Sequence, residues 1–203
     1  MTPVIIGYYP FRAKAQVLRL VCEYLHVPYY DRFFNPDDWS KFKEGEGRRW
    51  VLREFPFLQQ GDFVVTGNHA MITYVIELSQ RTDLLGKTLE HKMKIDNFWS
   101  KGDLKDTILG FICNTRPTTN QEKLERRRQL NELYEKKISH LMDLHERECM
   151  EDNYYFGYLT ILDFAIYEIV NYFRLLFPQE TSKFLKLGKL RERVAAIQEV
   201  QIY

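Results

Sequence analysis

The sequence predicts an α/β unit of order βαβ-α-ββα followed by an all-α helical bundle, and three observations carry that prediction. A short apolar run, Val4-Ile5-Ile6, gives way to helical spacing from Ala13 and then to alternation at Tyr29, Asp31 and Phe33. Beyond Gly86 no strand pattern occurs for the rest of the chain. Thr160-Ile161-Leu162-Asp163 has the form of a helix capping box, with Leu159 and Phe164 at the two positions of the hydrophobic staple around it.

The elements follow in order. Val4-Ile5-Ile6 reads as a buried strand ending at Gly7-Tyr8-Tyr9-Pro10. Val17, Leu18, Val21, Cys22 and Leu25 recur at intervals of three and four, and Val27-Pro28 stops that helix. Tyr29 to Phe33 is a second strand, and about 30 residues for strand, helix and strand suit a βαβ unit. Asn35 to Arg49 reads as a charged connection with one helical turn around Trp39 to Lys43. Phe55-Pro56-Phe57-Leu58 and Phe63-Val64-Val65 flank Gln60-Gly61-Asp62 as a hairpin. Asn68 is expected to cap a helix carrying Ala70, Met71, Tyr74, Val75 and Leu78. Residues 90–112 are expected to be helical, and residues 114–120, with Pro117, a break. Leu130, Leu133, Tyr134, Ile138, Leu141, Met142 and His145 mark one face of a single long helix from Gln121 to Met150. The helix after the capping box, Ile161 to Phe177, is apolar on most faces and is expected to be buried in the bundle. The pattern divides the chain into residues 1–82 and 83–203.

Composition narrows the function classes. Lys plus Arg is 29 against 28 for Asp plus Glu, a formal charge of +1, which argues against a dedicated nucleic-acid binder. The 14 Phe, 13 Tyr and 3 Trp rule out a disordered chain and leave apolar surface for a ligand or partner. Cys22, Cys113 and Cys149, with no CxxC pair, fit a reducing compartment better than a disulfide framework. No run reaches the roughly 18 apolar residues that span a bilayer. No targeting pattern opens the chain, so a cytoplasmic location is expected. His145 and Cys149 share a helix face, but two ligands do not make a metal site, and none is expected. Arg126-Arg127-Arg128, offset by neighbouring Glu residues, reads as a solvated face.

Several segments, taken in order, resemble the cytosolic glutathione S-transferases over essentially the whole chain. They are Gly7-Tyr8-Tyr9 with Arg12, Ala15, Leu18-Arg19 and Glu23-Tyr24; Asp38-Trp39-Ser40-Lys41-Phe42-Lys43; and Phe55-Pro56-Phe57-Leu58. Ala70 through Val75, Leu84 through Thr88, Lys94-Ile95-Asp96 and Phe156-Gly157 through Asp163 complete the series. The likeness is greatest to the tyrosine-type sigma and mu classes. It implies a thioredoxin-like glutathione-binding domain over residues 1–82 and an all-helical domain over residues 83–203. It also implies glutathione as co-substrate, Tyr8 as the catalytic hydroxyl, an apolar electrophile and a homodimer. The glutathione-binding positions it implies are Lys14, Trp39, Lys43, Phe55, Pro56, Gly67, Asn68 and Asp103. Phe55 would offer its backbone N–H and C=O beside a cis bond to Pro56. Tyr9, Phe11, Phe111 and Tyr155 are the candidates for lining the electrophile pocket between the domains. The sigma likeness also admits prostaglandin-type isomerase or peroxidase activity.

The implied chemistry is sound for these residue types. A thiol of pKa about 8.5 is only about 3% thiolate at pH 7, and the thiolate is the nucleophile. A hydroxyl donor aimed at sulfur favours the charged form. Lowering the pKa by two units makes about three quarters of the thiol nucleophilic, for roughly 2.7 kcal/mol. Trp39 and Lys43, four apart, share a helix face, where an indole N–H and an ammonium suit a carboxylate.

Some positions depart from the family pattern. Gly67-Asn68 stands where Gln-Ser is usual, and loss of a hydrogen bond to a carboxylate costs roughly 1.5–3 kcal/mol, or about 10- to 150-fold in affinity. Lys14 replaces an Arg, keeping the charge and losing the planar fork. Glu54 adds repulsion near the glycyl carboxylate, and Leu104 falls where an Asp from the second subunit is usual, with Asp103 one residue away. These departures keep a second reading open: a non-catalytic module of the same fold docked in a larger assembly.

Overall fold

The structure, a computed structural model, describes residues 2–50, 53–101, 107–111 and 117–202. They form two compact units, Met1–Lys92 with Gln198–Tyr203, and Met93–Ile197. The sequence division at residue 82 falls ten residues before this boundary, and Leu84, in the 3-10 turn Thr82–Leu85 between them, is fully buried.

The first unit is built on a four-stranded sheet of order β2-β1-β3-β4. Strand β1 (Val4–Tyr8) is parallel to β2 (Tyr29–Phe33) and antiparallel to β3 (Phe57–Gln60), which forms a hairpin with β4 (Phe63–Thr66). Flanked on both sides, β1 is buried at four of its five positions, as its unbroken apolar run requires. The crossover from β1 to β2 is a 3-10 turn, Ala13–Ala15, leading into α1 (Gln16–Tyr24). Helix α2 (Pro36–Glu44) is longer than the single turn expected around Trp39. Asn35 caps it, accepting from the Asp38 N–H at 2.8 Å, with Pro36 in the first turn and Asp37 and Asp38 toward the positive end of the dipole.

Helix α3 (Asn68–Leu78) starts differently from the expectation. The capping position is Gly67, not Asn68, because the chain turns out of β4 with a φ of +86° at this glycine. The Gly67 carbonyl then accepts the first helical bond, from Met71 at 3.0 Å. The C-terminal helix of the unit, α9 (Gln198–Ile202), rests against α1, with Glu199 3.5 Å from His26.

Helix α4 (Leu89–Lys101) begins in the last residues of the first unit, and residues 107–111 of the second are helical. The expected long helix is α5 (Asn120–Leu133) and α6 (Ser139–Glu148), joined without a break by a π-helical stretch, Tyr134–Ile138. Its start carries a capping box that the sequence contains as Thr119-x-x-Glu122. Glu122 accepts from the N–H groups of Thr118 and Thr119 at 2.7 and 3.0 Å, and the Thr119 hydroxyl accepts from the Glu122 N–H at 3.1 Å. Helix α7 (Ile161–Leu176) is the buried centre, with Phe164 and Phe173 fully enclosed, and α8 (Leu185–Ala195) packs along it. At the start of α7 the buried Asp163 carboxylate accepts from the Thr160 N–H at 2.7 Å, the Thr160 hydroxyl at 2.9 Å and the Tyr155 N–H at 2.7 Å.

Candidate functional site

The site residues of the first unit converge where β1 ends. Gly7 lies opposite Phe57 in the antiparallel register. The Phe57 ring folds across the glycine so closely that a Cβ there would lie 2.0 Å from its Cζ. This contact lets Phe57 fill the space beneath the end of the strand and sets Tyr8 beside the chain that enters β3. Tyr8 is 5% exposed, and its backbone carbonyl accepts from the Phe34 N–H at 3.0 Å.

From Tyr8 a run of ring contacts leads to the other candidates. The Tyr8 ring meets Phe55 at 5.9 Å between centroids, and Phe55 lies under the Trp39 indole at 3.7 Å. The Lys43 ammonium sits 5.7 Å over the indole from the next turn of α2, the helical i,i+4 placement expected of this pair. Phe34, Phe42 and Phe57 form the buried base, with Trp39, Trp50 and Phe55 partly buried against them. The Phe55–Pro56 peptide bond is cis, and Pro56 is buried. Among the described residues, the Trp39 indole N–H and the Lys43 ammonium make no hydrogen bond or ion pair, and both residues are only partly buried. The arrangement brings a phenol ring, an indole and an ammonium together along one aromatic wall.

The remaining expected residues are more dispersed. Lys14 is exposed on the 3-10 turn after β1. Gly67 and Asn68 form the turn and first residue of α3, whose leading N–H groups favour an anion. Glu54 is exposed one residue before Phe55. Asp103, Leu104 and Cys113 lie outside the described residues.

Of the four candidates for the electrophile pocket, Tyr9 and Phe11 stack at 5.4 Å beside Tyr8, and Phe11 is 48% exposed. Tyr155 is a core residue instead. It is 2% exposed, hydrogen-bonded to His145 Nδ1 at 2.9 Å, and burial pushes its phenol well above the ordinary range. Phe111 lies under the Arg126 guanidinium, 4.4 Å from its carbon, in a cleft of about 660 Å3 wholly within the second unit.

Among the described residues the cysteines add no nucleophile. Cys22 is fully buried, and burial drives its thiol far above the usual value; Cys149, 1% exposed, is pushed up to about 12 for the same reason. Burial also lowers the pKa of His145. Among the described residues no group of three or more His, Cys, Asp and Glu side chains is placed to hold a metal ion, and no helix is long and apolar enough to cross a membrane.

Two residues that the sequence left without a role join the site. Arg19 and Asp31 form a largely buried ion pair, and the guanidinium also reaches the loop after Tyr8. The available signal was an arginine on the otherwise apolar face of α1.

The chain is similar to known proteins along nearly its whole length. A family model described as the glutathione S-transferase C-terminal domain matches residues 104–203. Human glutathione S-transferase Mu 1 is 24% identical over 210 residues, covering 99% of this chain and 90% of the human protein. Glutathione S-transferase 2 of Gallus gallus is 24% identical over 211 residues, covering 98% and 89%. The solved structure of rat hPGDS complexed with a quinoline superposes with a TM-score of 0.76 at 23% identity, covering 98% of this chain and 94% of that one.

Proposed function

We propose that this chain, similar to glutathione S-transferases along nearly its whole length, is a transferase that binds glutathione on its N-terminal α/β unit, ionises the thiol with the Tyr8 hydroxyl and delivers the thiolate to an apolar electrophile. The observation that carries this reading is the single aromatic wall joining Tyr8, Phe55, Trp39 and Lys43, residues drawn from three separate segments of the chain.

In this mechanism residues 1–82 hold the tripeptide. The Phe55 backbone pairs with its cysteinyl part next to Pro56. Trp39, Lys43 and Lys14 take the glycyl carboxylate end, and the turn at Gly67 and Asn68 takes the γ-glutamyl end, with Asp103 meeting the amine from a second copy in a cytoplasmic homodimer. The Tyr8 hydroxyl donates to sulfur, which stabilises the thiolate as the thiol proton passes to solvent. The sulfur lone pair then forms the C–S bond as the leaving group departs with its electron pair. Burial of Tyr8 among rings strengthens its hydrogen bond relative to one made in water.

Calorimetric titration with glutathione and a conjugation assay test the reading. Binding at or below millimolar glutathione is expected. Tyr8→Phe is expected to lower kcat/KM by about 10- to 150-fold, the loss of one hydrogen bond to a charged sulfur. Absence of binding at millimolar glutathione would overturn the enzyme reading, and undiminished turnover in Tyr8→Phe would remove the role of Tyr8.

Gly67 favours a second reading. Its backbone caps α3 without any side-chain cap, so the usual amide donor at this position is missing. A docking module of the same fold, bound in a larger assembly, would tolerate that loss. Native mass distinguishes the two: the enzyme is expected at about twice 24.5 kDa, whereas a docking module has no need to pair with itself.

A further inference from the structure

We propose that Arg19 is a positioning residue for Tyr8, acting through the turn formed by residues 9–11; the proposal rests on thiol ionisation by Tyr8. Arg19 is 3% exposed within α1. Its Nε donates to Asp31 Oδ1 at 2.9 Å, and its Nη1 donates to the Phe11 carbonyl at 3.1 Å. One planar guanidinium thus ties the helix both to strand β2 and to the loop that follows Tyr8, a two-sided grip that a point cation does not reproduce.

The held turn is in direct contact with the reacting group. Phe11 N–H donates to the Tyr9 carbonyl at 2.8 Å, closing a tight turn. The Phe11 ring stands edge-on to Tyr8 at 5.5 Å and stacks on Tyr9 at 5.4 Å. Pro10, Phe11 and Arg12 are all exposed, so little burial holds this stretch in place. Ala13, two residues beyond Phe11, has a φ of +39°, a strained value for a residue with a Cβ. An exposed turn joined to a strained backbone gains from an anchor, and the Arg19–Phe11 bond is a polar anchor that reaches it from a buried side chain. On the other side, Tyr8 is fixed by the sheet and by Phe55. Arg19 therefore holds the turn whose Phe11 ring packs against Tyr8. Misplacement of a reacting group by about 1 Å can cost up to about 100-fold in rate, so this grip matters to the thiol more than to glutathione affinity.

The test is the pH dependence of kcat/KM for conjugation, measured with the full chain. Arg19→Lys keeps the charge beside Asp31 but replaces two separated nitrogens with one. It is expected to shift the profile upward by about one pH unit, roughly a tenfold smaller thiolate fraction at low pH, with glutathione affinity by calorimetry nearly unchanged. Phe11→Ala removes the exposed ring that transmits the grip, without altering the core, and is expected to shift the profile in the same direction. Val21→Ala loosens the same helix away from the turn; it is expected to lower the unfolding midpoint and leave the profile in place. An unmoved profile in both Arg19→Lys and Phe11→Ala overturns the proposal, as does an equal shift in Val21→Ala. If Tyr8→Phe itself leaves the wild-type profile in place, thiol ionisation by Tyr8 fails and the grip falls with it. If Tyr8→Phe shifts the profile while the other two do not, only the role of Arg19 is lost.

Discussion

Replacing Gly7 with alanine should be among the most disruptive single-methyl changes in the first unit. A Cβ built on Gly7 lies 2.0, 2.1 and 2.6 Å from three carbons of the Phe57 ring, whereas ordinary contact begins near 3.4 Å, so the ring must retreat by about 1.4 Å. It has little room to do so. Phe57 is fully buried, lies parallel to Phe42 at 5.7 Å and meets Trp50 edge-on at 4.7 Å. Interiors at crystal-like density do not absorb such a shift locally, and overpacking costs about 1–3 kcal/mol. Contact with three carbons of one rigid, buried ring puts this case at about 3 kcal/mol, or roughly 6–12 °C in Tm for a chain of this size. Urea and thermal unfolding followed by tryptophan fluorescence measure it, since Trp39 and Trp50 flank the cluster. Phe57→Leu costs stability alone but should relieve the clash, so the double variant should be more stable than the two single losses predict by at least about 1 kcal/mol. A Gly7→Ala loss below about 0.5 kcal/mol, or simple additivity in the cycle, would refute the packing argument.

Two further outcomes follow from the backbone and from a buried charge. Ala13→Gly should stabilise the protein by about 0.5–1 kcal/mol, because relief of roughly 1–2 kcal/mol of positive-φ strain exceeds the glycine entropy cost of about 0.5–1; a lower urea midpoint in the variant would contradict the strain. Burial raises the Asp163 carboxyl to about 6 despite its three hydrogen bonds. The folded state thus holds that proton more tightly than the unfolded state, and the contribution of this group to stability is full below about pH 4 and is lost as pH rises through about 6. The stability of the wild type relative to Asp163→Asn should therefore fall between pH 4 and 7 in urea titrations, and a rising difference would show that the hydrogen bonds outweigh burial.

Much of the fold was legible in the chain because it is written locally. The unbroken apolar run Val4-Ile5-Ile6 anticipates a strand covered on both sides, and the Thr160-Asp163 spacing anticipates a helix start. Two further signals of the same local kind were present but not used: Asn35-Pro36-Asp37, which starts α2, and Thr119-x-x-Glu122, which starts α5. The shift of the α3 cap from Asn68 to Gly67 was less accessible. Asn is the better capping side chain, but the exit angle from β4 demands a positive φ at the preceding residue.

For the candidate site, the sequence by itself determined which residue types are available: a tyrosine at a strand end, an indole and an ammonium one helical turn apart, and a Phe-Pro pair before a strand. Each depends only on neighbours within a few positions, where backbone geometry is nearly fixed by local spacing. Only the tertiary structure decided that Phe57 needs a glycine opposite it, that Phe55 stacks on Trp39, that Tyr155 is core rather than pocket, and that Arg19 spans Asp31 and Phe11. Those are contacts between segments up to about fifty residues apart, fixed by strand register and close packing, and no local pattern encodes them.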